Sequence, residues 1–158
     1  MTRSKLDAVD RKILAMLQED GRMTNVELAE RVGITAPPCL RRVRALEESG
    51  YIRGYHADID AAMMGYGITV FAMVGLHSQA EADLQAFEAL VAGWPMVREC
   101  YMLNGEIDFM LKIVARDLAQ FQSFLTGKLT PAPNVASVKT SLTIRNSKKL
   151  LGVPVEQA

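Results

Sequence analysis

Three arginines, Arg41, Arg42 and Arg44, fall in a stretch from Gly33 to Leu46 that holds no acidic residue. A planar guanidinium fork matches both a guanine edge and a phosphate, so this cluster could do recognition chemistry on DNA. Thr35, Pro37 and Pro38 stand just before it. Wound as a helix at about 100° per residue, Arg41 and Arg44 lie beside Pro37 and Pro38, with Arg42 on the flank. Cys39, Val43 and Leu46 point the other way. An apolar back and a basic front are what a helix needs to enter a major groove. The bland alternative is a solvated basic helix face.

No constellation for catalysis accompanies these arginines. The two histidines, His56 and His77, are far apart, as are the two cysteines, Cys39 and Cys100. Neither pair has metal-ligand or redox spacing. Cys39, on the apolar face, reads as a small buried hydrophobe. Glu47 and Glu48 close a helix on its solvated side. No phosphate-binding glycine loop or nucleophile elbow is present. The expectation is a protein that is not an enzyme and that holds no metal or resident cofactor.

The arginines need elements to position them. Thr24 followed by Glu27 is a capping box that starts a helix, with Leu28, Ala29 and Val32 on its apolar side. Gly33 stands where a helix ends in a left-handed residue. Thr35 can cap the next helix, and prolines are tolerated in its first turn. Upstream, Leu6, Val9, Ile13, Met16 and Leu17 recur at helical spacing, Asp7 can cap, and Gly21 ends the helix. This predicts a helix-turn-helix domain over residues 1–55. The run YIRGYHADID then reads as a wing or linker strand, with the linker strand placed over 56–66.

Beyond residue 66 the period changes from 3.6 to 2. The expected elements are strands over 67–77, 97–103, 107–115 and 135–145, and helices over 81–93 and 117–129. The first helix should turn Leu84, Phe87, Leu90 and Val91 inward; the second, capped by Asp117, should turn in Leu118, Phe121, Phe124 and Leu125. Asn104 and Gly105 give a strong signal for a tight hairpin. The order βαββαβ is the ferredoxin-like split unit, so the fold class is α+β, with a winged-helix-like first domain and a ferredoxin-like domain over 67–158. Two helices cover one sheet face only. Phe71 and Met73 remain on the other, and a second subunit is the expected cover, with the tail from Lys148 and Lys149 onward adding to that contact.

The 158 residues are 49% hydrophobic, enough for a core, with 18 basic and 18 acidic side chains. Zero net charge argues against a protein that coats nucleic acid by bulk charge, more than against a site-specific one, and leaves a local patch to do any binding. No signal peptide or spanning segment is read, so the expected place is the cytoplasm.

A helix-turn-helix followed by this βαββαβ unit resembles the Lrp/AsnC family of leucine- and asparagine-responsive regulators. The similar segments are LDAVDRKILAMLQEDGRMTNVELAERVGIT, the run from Pro38 through Val43 with Leu46 and Glu47, GYIRGY at 50–55, Glu99-Cys100-Tyr101, and Gly105 with Asp108. The resemblance implies a DNA-binding dimer that assembles further into tetramers or octamers. It also implies that the second half, the regulation-of-amino-acid-metabolism (RAM) domain, senses an amino acid. On that basis a free amino acid is expected at a cleft between subunits. Its carboxylate would meet the open backbone at Asn104 and Gly105, and its ammonium would meet Asp108. Thr140 and Ser141 are further candidates for the pocket wall. Two positions depart from the family pattern. Thr35-Ala36-Pro37-Pro38 has one hydroxyl fewer than the usual serine–proline–threonine–proline run. Asn134 stands where glycine is usual, and asparagine tolerates positive φ. Two other readings remain: a DNA-organising protein with no effector, and a small ferredoxin-like enzyme fused to a helix-turn-helix.

Overall fold

A computed structural model describes residues 6–156. Residues 1–5 and 157–158, the outer ends of the two expected domains, lie outside the described residues. The described chain divides into two compact units, 6–58 with 148–156, and 59–147.

The first unit is built on three helices, α1 (Ala8–Glu19), α2 (Asn25–Val32) and α3 (Ala36–Glu48). Both expected capping boxes form: Asp7 with Asp10 on α1, and Thr24 with Glu27 on α2. Gly33 ends α2 at φ 85°, the left-handed conformation its position requires. The apolar faces meet in a core of Ile13, Leu28, Ala29, Val32, Cys39 and Leu46, all buried. Leu6, Val9, Met16, Leu17 and Val43 pack around it.

Two expectations for this unit are corrected. Residues 53–60 form no strand. Instead the chain turns back after α3. The Ile52 amide donates to the Leu46 carbonyl, Tyr51 and Ile52 join the core, and the Tyr55 hydroxyl donates to Glu47 Oε1 at 2.9 Å. Residues 61–65 form turns rather than the rest of a linker strand, since no strand of this chain pairs with them. The C-terminal segment also belongs here and not with the sheet. Gln18 on α1 brackets the backbone of Val153, donating from Nε2 to its carbonyl at 2.7 Å and accepting its amide at 3.1 Å. Lys149 pairs with Asp58 at 2.6 Å.

The second unit carries β1 (Ile68–Leu76), α4 (Glu81–Ala92), β2 (Val97–Met102), β3 (Phe109–Ala115), α5 (Leu118–Phe124) and β4 (Val135–Leu142). The sheet is antiparallel throughout, in the order β2-β3-β1-β4, with β1 and β3 central, as the split unit requires. Val70, Ala72 and Val74 of β1 and Phe109, Leu111, Ile113 and Ala115 of β3 face the helices and are fully or nearly buried. Phe87, Val91, Phe121 and Phe124 close over them. Leu90 and Leu118 do not turn in as expected. Leu90 lies on the flank of α4 and Leu118 in the first turn of α5, 38% and 60% exposed. The expected second helix keeps its extent but changes type: α5 gives way at Leu125 to a π-helical turn, Leu125–Leu129.

The β2–β3 connection is longer than the tight hairpin expected between strands 97–103 and 107–115. The Leu103 amide donates to the Asp108 carbonyl at 2.8 Å, so four residues, including Asn104 and Gly105, loop between them. Neither Asn104 nor Gly105 adopts the positive φ that a tight type I′ turn would need. Asn134 does adopt it, at φ 68°, as its residue type allows. Its side chain also pairs with the backbone of Ser78, accepting the amide and donating to the carbonyl, each at 2.9 Å. A glycine at this position could do only the first of these two jobs.

Candidate nucleic-acid interface and effector end

α3 presents the arginines as two different groups. Arg41 and Arg44 are exposed and make no ion pair among the described residues. Arg42 is half-buried, and its Nη1 lies 2.7 Å from both Asp7 Oδ2 and Asp10 Oδ1. Arg42 thus bridges from α3 to the capping box of α1 through Nη1, an ion-pair clamp that the sequence pattern did not announce. The clamp has an electrostatic signature. The Asp10 amide and the Arg42 guanidinium hold the Asp7 carboxyl below its ordinary value of 3.8. The hydrogen bonds that Arg42 donates, to Asp10 first and to Asp7 second, hold the proton more firmly on its guanidinium.

The start of α3 differs from expectation in a way that bears on binding. A capping side chain normally accepts from the second or third amide of its helix. Here those residues are Pro37 and Pro38, which have no N–H to give. Thr35 therefore makes no side-chain cap bond, although its carbonyl accepts the Cys39 amide at 3.2 Å. Its exposed hydroxyl is left for an external partner. The α2–α3 turn is held from the other side by Asn25, whose Nδ2 donates to the Ala36 carbonyl at 2.8 Å. No pattern in the sequence singled out Asn25 for this. Thr35, Pro37, Arg41 and Arg44 thus form an exposed polar and basic strip along one capped, buttressed helix. Such a strip can meet phosphates and base edges together.

At one end of the sheet, Asp108 is half-buried and, besides the bond from Leu103 to its carbonyl, is fastened three further ways. Its Oδ2 accepts the Leu76 amide at 2.6 Å, at the bulge where β1 shifts register. Its own amide donates to Val74, and Gln79 Nε2 lies 3.5 Å from the same carboxylate oxygen. Asn104 and Gly105 are exposed in the neighbouring loop, and open space surrounds Gly105. Within one chain, Thr140 and Ser141 do not join them. Asp108 lies level with Gly75 of β1, opposite Ser137 of β4, while Thr140 pairs three residues further along, with Ala72. Strand spacing and rise put that separation at roughly 14 Å. Thr140 and Ser141 also point to opposite faces, since they pair with Ala72 and Phe71 respectively. At this end of the sheet sequence reasoning missed Gln79, three residues beyond the end of β1 and with no motif of its own.

The uncovered sheet face carries Phe71, Met73, Met110 and Val114, all half-buried, with Tyr101 exposed. A pair between Lys112 and Glu99 at 2.6 Å sits among them, and the Tyr101 hydroxyl donates to the same carboxylate. Lys112 first, then Tyr101, lowers the Glu99 carboxyl below its ordinary range. Among the described residues no His, Cys, Asp and Glu side chains gather as a metal site, and no helix is long and apolar enough to cross a membrane.

Comparison with known proteins agrees with both halves. Residues 6–53 match the winged helix-turn-helix DNA-binding family, and residues 69–152 match the Lrp/AsnC ligand binding domain. The leucine-responsive regulatory protein of Rhizobium meliloti is 56% identical over 98% of this chain and 99% of its own length. The bkd operon transcriptional regulator of Pseudomonas aeruginosa is 41% identical over 90% and 94%. Among solved structures, a transcriptional regulator of Neisseria meningitidis in complex with L-Met superposes with a TM-score of 0.91 at 36% identity, covering 95% of this chain and 97% of that one. With an arginine-faced helix-turn-helix, a four-stranded ferredoxin-like unit and matches to both domain families, the chain belongs to the Lrp/AsnC family of DNA-binding transcriptional regulators.

Proposed function

We propose that this regulator reads its operator with Arg41 and Arg44 and changes its DNA affinity when a free amino acid binds beside Asp108. It acts by binding rather than turnover, in the cytoplasm, as a homodimer joined through the open sheet face and assembled further into tetramers or octamers. The observation that carries the DNA half is the division of labour on α3. Arg42 is engaged through Nη1 by the clamp, while Arg41 and Arg44 are exposed with no ion pair among the described residues, beside the unbonded Thr35 hydroxyl. For the effector half, the L-Met bound to the Neisseria meningitidis relative supports an amino acid as ligand. The open backbone at Gly105 and the carboxylate of Asp108 offer opposite partners for a zwitterion. Dimerisation is supported by the apolar residues that no element of the second unit covers. A ligand held between subunits would act through its differential affinity for two assemblies.

The experiment is a thermal-shift screen against the twenty amino acids, followed by operator binding with and without the best hit. A specific ligand raises the melting temperature by mass action and changes operator affinity. If no amino acid does either, the effector half is wrong and the DNA-organising reading replaces it.

A further inference from the structure

On the helix-covered side of the second unit lies a groove of about 260 Å³, between the residues that follow α4 and the end of α5. Its walls are Trp94, Pro95, Met96 and Phe124, and its rim carries Gln120, Ser123 and Lys128. Trp94 and Phe124 stand edge to face, with centroids 5.3 Å apart, and are almost wholly buried, so the groove has a rigid aromatic floor. The π-helical turn begins right after Phe124 and contains Lys128. Such turns interrupt α-helices rarely and often at functional sites. Lys128 is exposed and has no carboxylate within ion-pair distance among the described residues. Gln120 already spends its Oε1 on the Arg116 amide at 2.7 Å, which leaves its Nε2 to donate.

The geometry points to this groove as a second small-molecule site, one that takes a small apolar monocarboxylate lacking an ammonium group. Lys128 supplies the one charge on the rim, and it is positive. No Asp or Glu lines the groove, so an α-ammonium group would find no counter-charge there. The apolar walls suit a branched or aromatic body. The volume falls below the roughly 300–1,000 Å³ typical of drug-sized pockets, which limits the ligand to a few carbons beyond its carboxylate. Nothing in this site depends on the amino-acid site beside Asp108, whose residues it does not share.

Trp94 is the only tryptophan of the chain, so its emission reports on the groove directly. The probe is 4-methylpentanoate, titrated into the full-length protein, with L-leucine and 4-methyl-1-pentanol as comparators of similar carbon skeleton. Expected is a saturable change in emission with the carboxylate and one at least tenfold weaker with the alcohol. Lys128→Gln should weaken the carboxylate at least tenfold. Ser123→Leu, an exposed substitution on α5 that fills the groove, should abolish the response. Operator binding without ligand and the melting temperature of the full-length protein should be unchanged in both variants, which shows that both units are folded. No saturable change up to about 10 mM overturns the site. So does an unaltered affinity in either variant. L-Leucine bound as tightly as the carboxylate, with the same dependence on Lys128 and Ser123, overturns the assigned ligand class.

Discussion

The guanidinium of Arg42 and the carboxylate of Asp10 meet at 2.7 Å across the packing of α3 on α1. Asp10 is also the third residue of α1, reaching back to the Asp7 amide at 3.2 Å, so the clamp grips a capping box and not a lone side chain. Partly exposed pairs of this kind contribute modestly, up to about 1 kcal/mol. Arg42→Met should therefore lower the melting temperature by only a few degrees. Its effect on DNA is the sharper readout. If Arg42 works only as a clamp, operator affinity falls with no change in its salt dependence. A residue that meets phosphate would take about one unit off the slope of log affinity against log salt when removed. A slope reduced by that amount in Arg42→Met would show that the clamp opens on DNA.

Arg41 and Arg44 should behave differently. Each →Ala change should cost roughly 1–3 kcal/mol on the preferred operator if it reads a base, and discrimination against mutated operators should narrow. Neither side chain packs in the core, so melting temperature should hold. Operator affinity equal to wild type in a folded double alanine variant would remove α3 from the groove. Thr35→Val tests the unbonded hydroxyl in the same assay. It should weaken DNA binding without destabilising α3, because no cap bond is lost.

Acid should loosen the first unit through its caps. The Asp7 carboxyl is held below its ordinary 3.8 chiefly by the Asp10 amide, and the Glu27 carboxyl below its ordinary 4.5 chiefly by the Thr24 amide. Both folded values are depressed. Their contribution is therefore fully present above the unfolded values and is lost as pH falls from about 4.5 through the still lower folded values. Helical content monitored during acid titration should fall in that window. Asp7→Asn and Glu27→Gln together should flatten the dependence there. A titration curve unchanged by the pair would assign acid loosening to other carboxylates.

Much of this molecule was legible in its sequence because its local signals agree with one another. Thr24 and Glu27 stand three apart, Gly33 follows an apolar face, and Phe109, Leu111 and Ile113 alternate, so each element announces itself without its partners. Links between residues far apart in sequence were not legible. Arg42 is 32 residues from Asp10 and Gln18 is 135 from Val153. No periodicity relates such positions. Thr35 failed as a cap for a reason that was in the sequence: two prolines removed the donors its hydroxyl would accept. Asn104 and Gly105 were over-read because a dipeptide signal competes with the register that Asp108 imposes. Once Leu103 pairs with Asp108, the loop between them is too long for a type I′ turn.

Gly152 and Gln18 yield a prediction about the C-terminal segment. Gly152 has φ 71°, and a Cβ there would lie 2.0 Å from Gln18 Oε1. Gly152→Ala must therefore push the Gln18 amide aside, and with it the two bonds to Val153. The left-handed conformation adds about 1 kcal/mol of strain for a residue with a Cβ. Hydrogen exchange at the Val153 amide should accelerate markedly, and Gln18→Ala should reproduce the acceleration. Undiminished protection in both variants would mean that the segment is held by something other than Gln18.

Asp108 combines a structural bond with a proposed ligand contact, and two substitutions separate them. Its Oδ2 accepts the Leu76 amide at the β1 bulge, so Asp108→Ala leaves a half-buried donor without a partner. That loss costs about 1–3 kcal/mol, and any fall in ligand affinity in this variant would be confounded with a loosened sheet end. Asp108→Asn keeps a carbonyl oxygen in place for Leu76 while removing the negative charge. The melting temperature of the asparagine variant should therefore stay close to wild type, well above that of the alanine variant. Its affinity for the best amino acid from the thermal-shift screen should nonetheless drop by about tenfold or more, since a charge-assisted bond to the ammonium becomes a neutral one. Calorimetry on the two variants decides the matter. Wild-type affinity in Asp108→Asn would reduce Asp108 to a fastening for β1 and move the ammonium partner elsewhere.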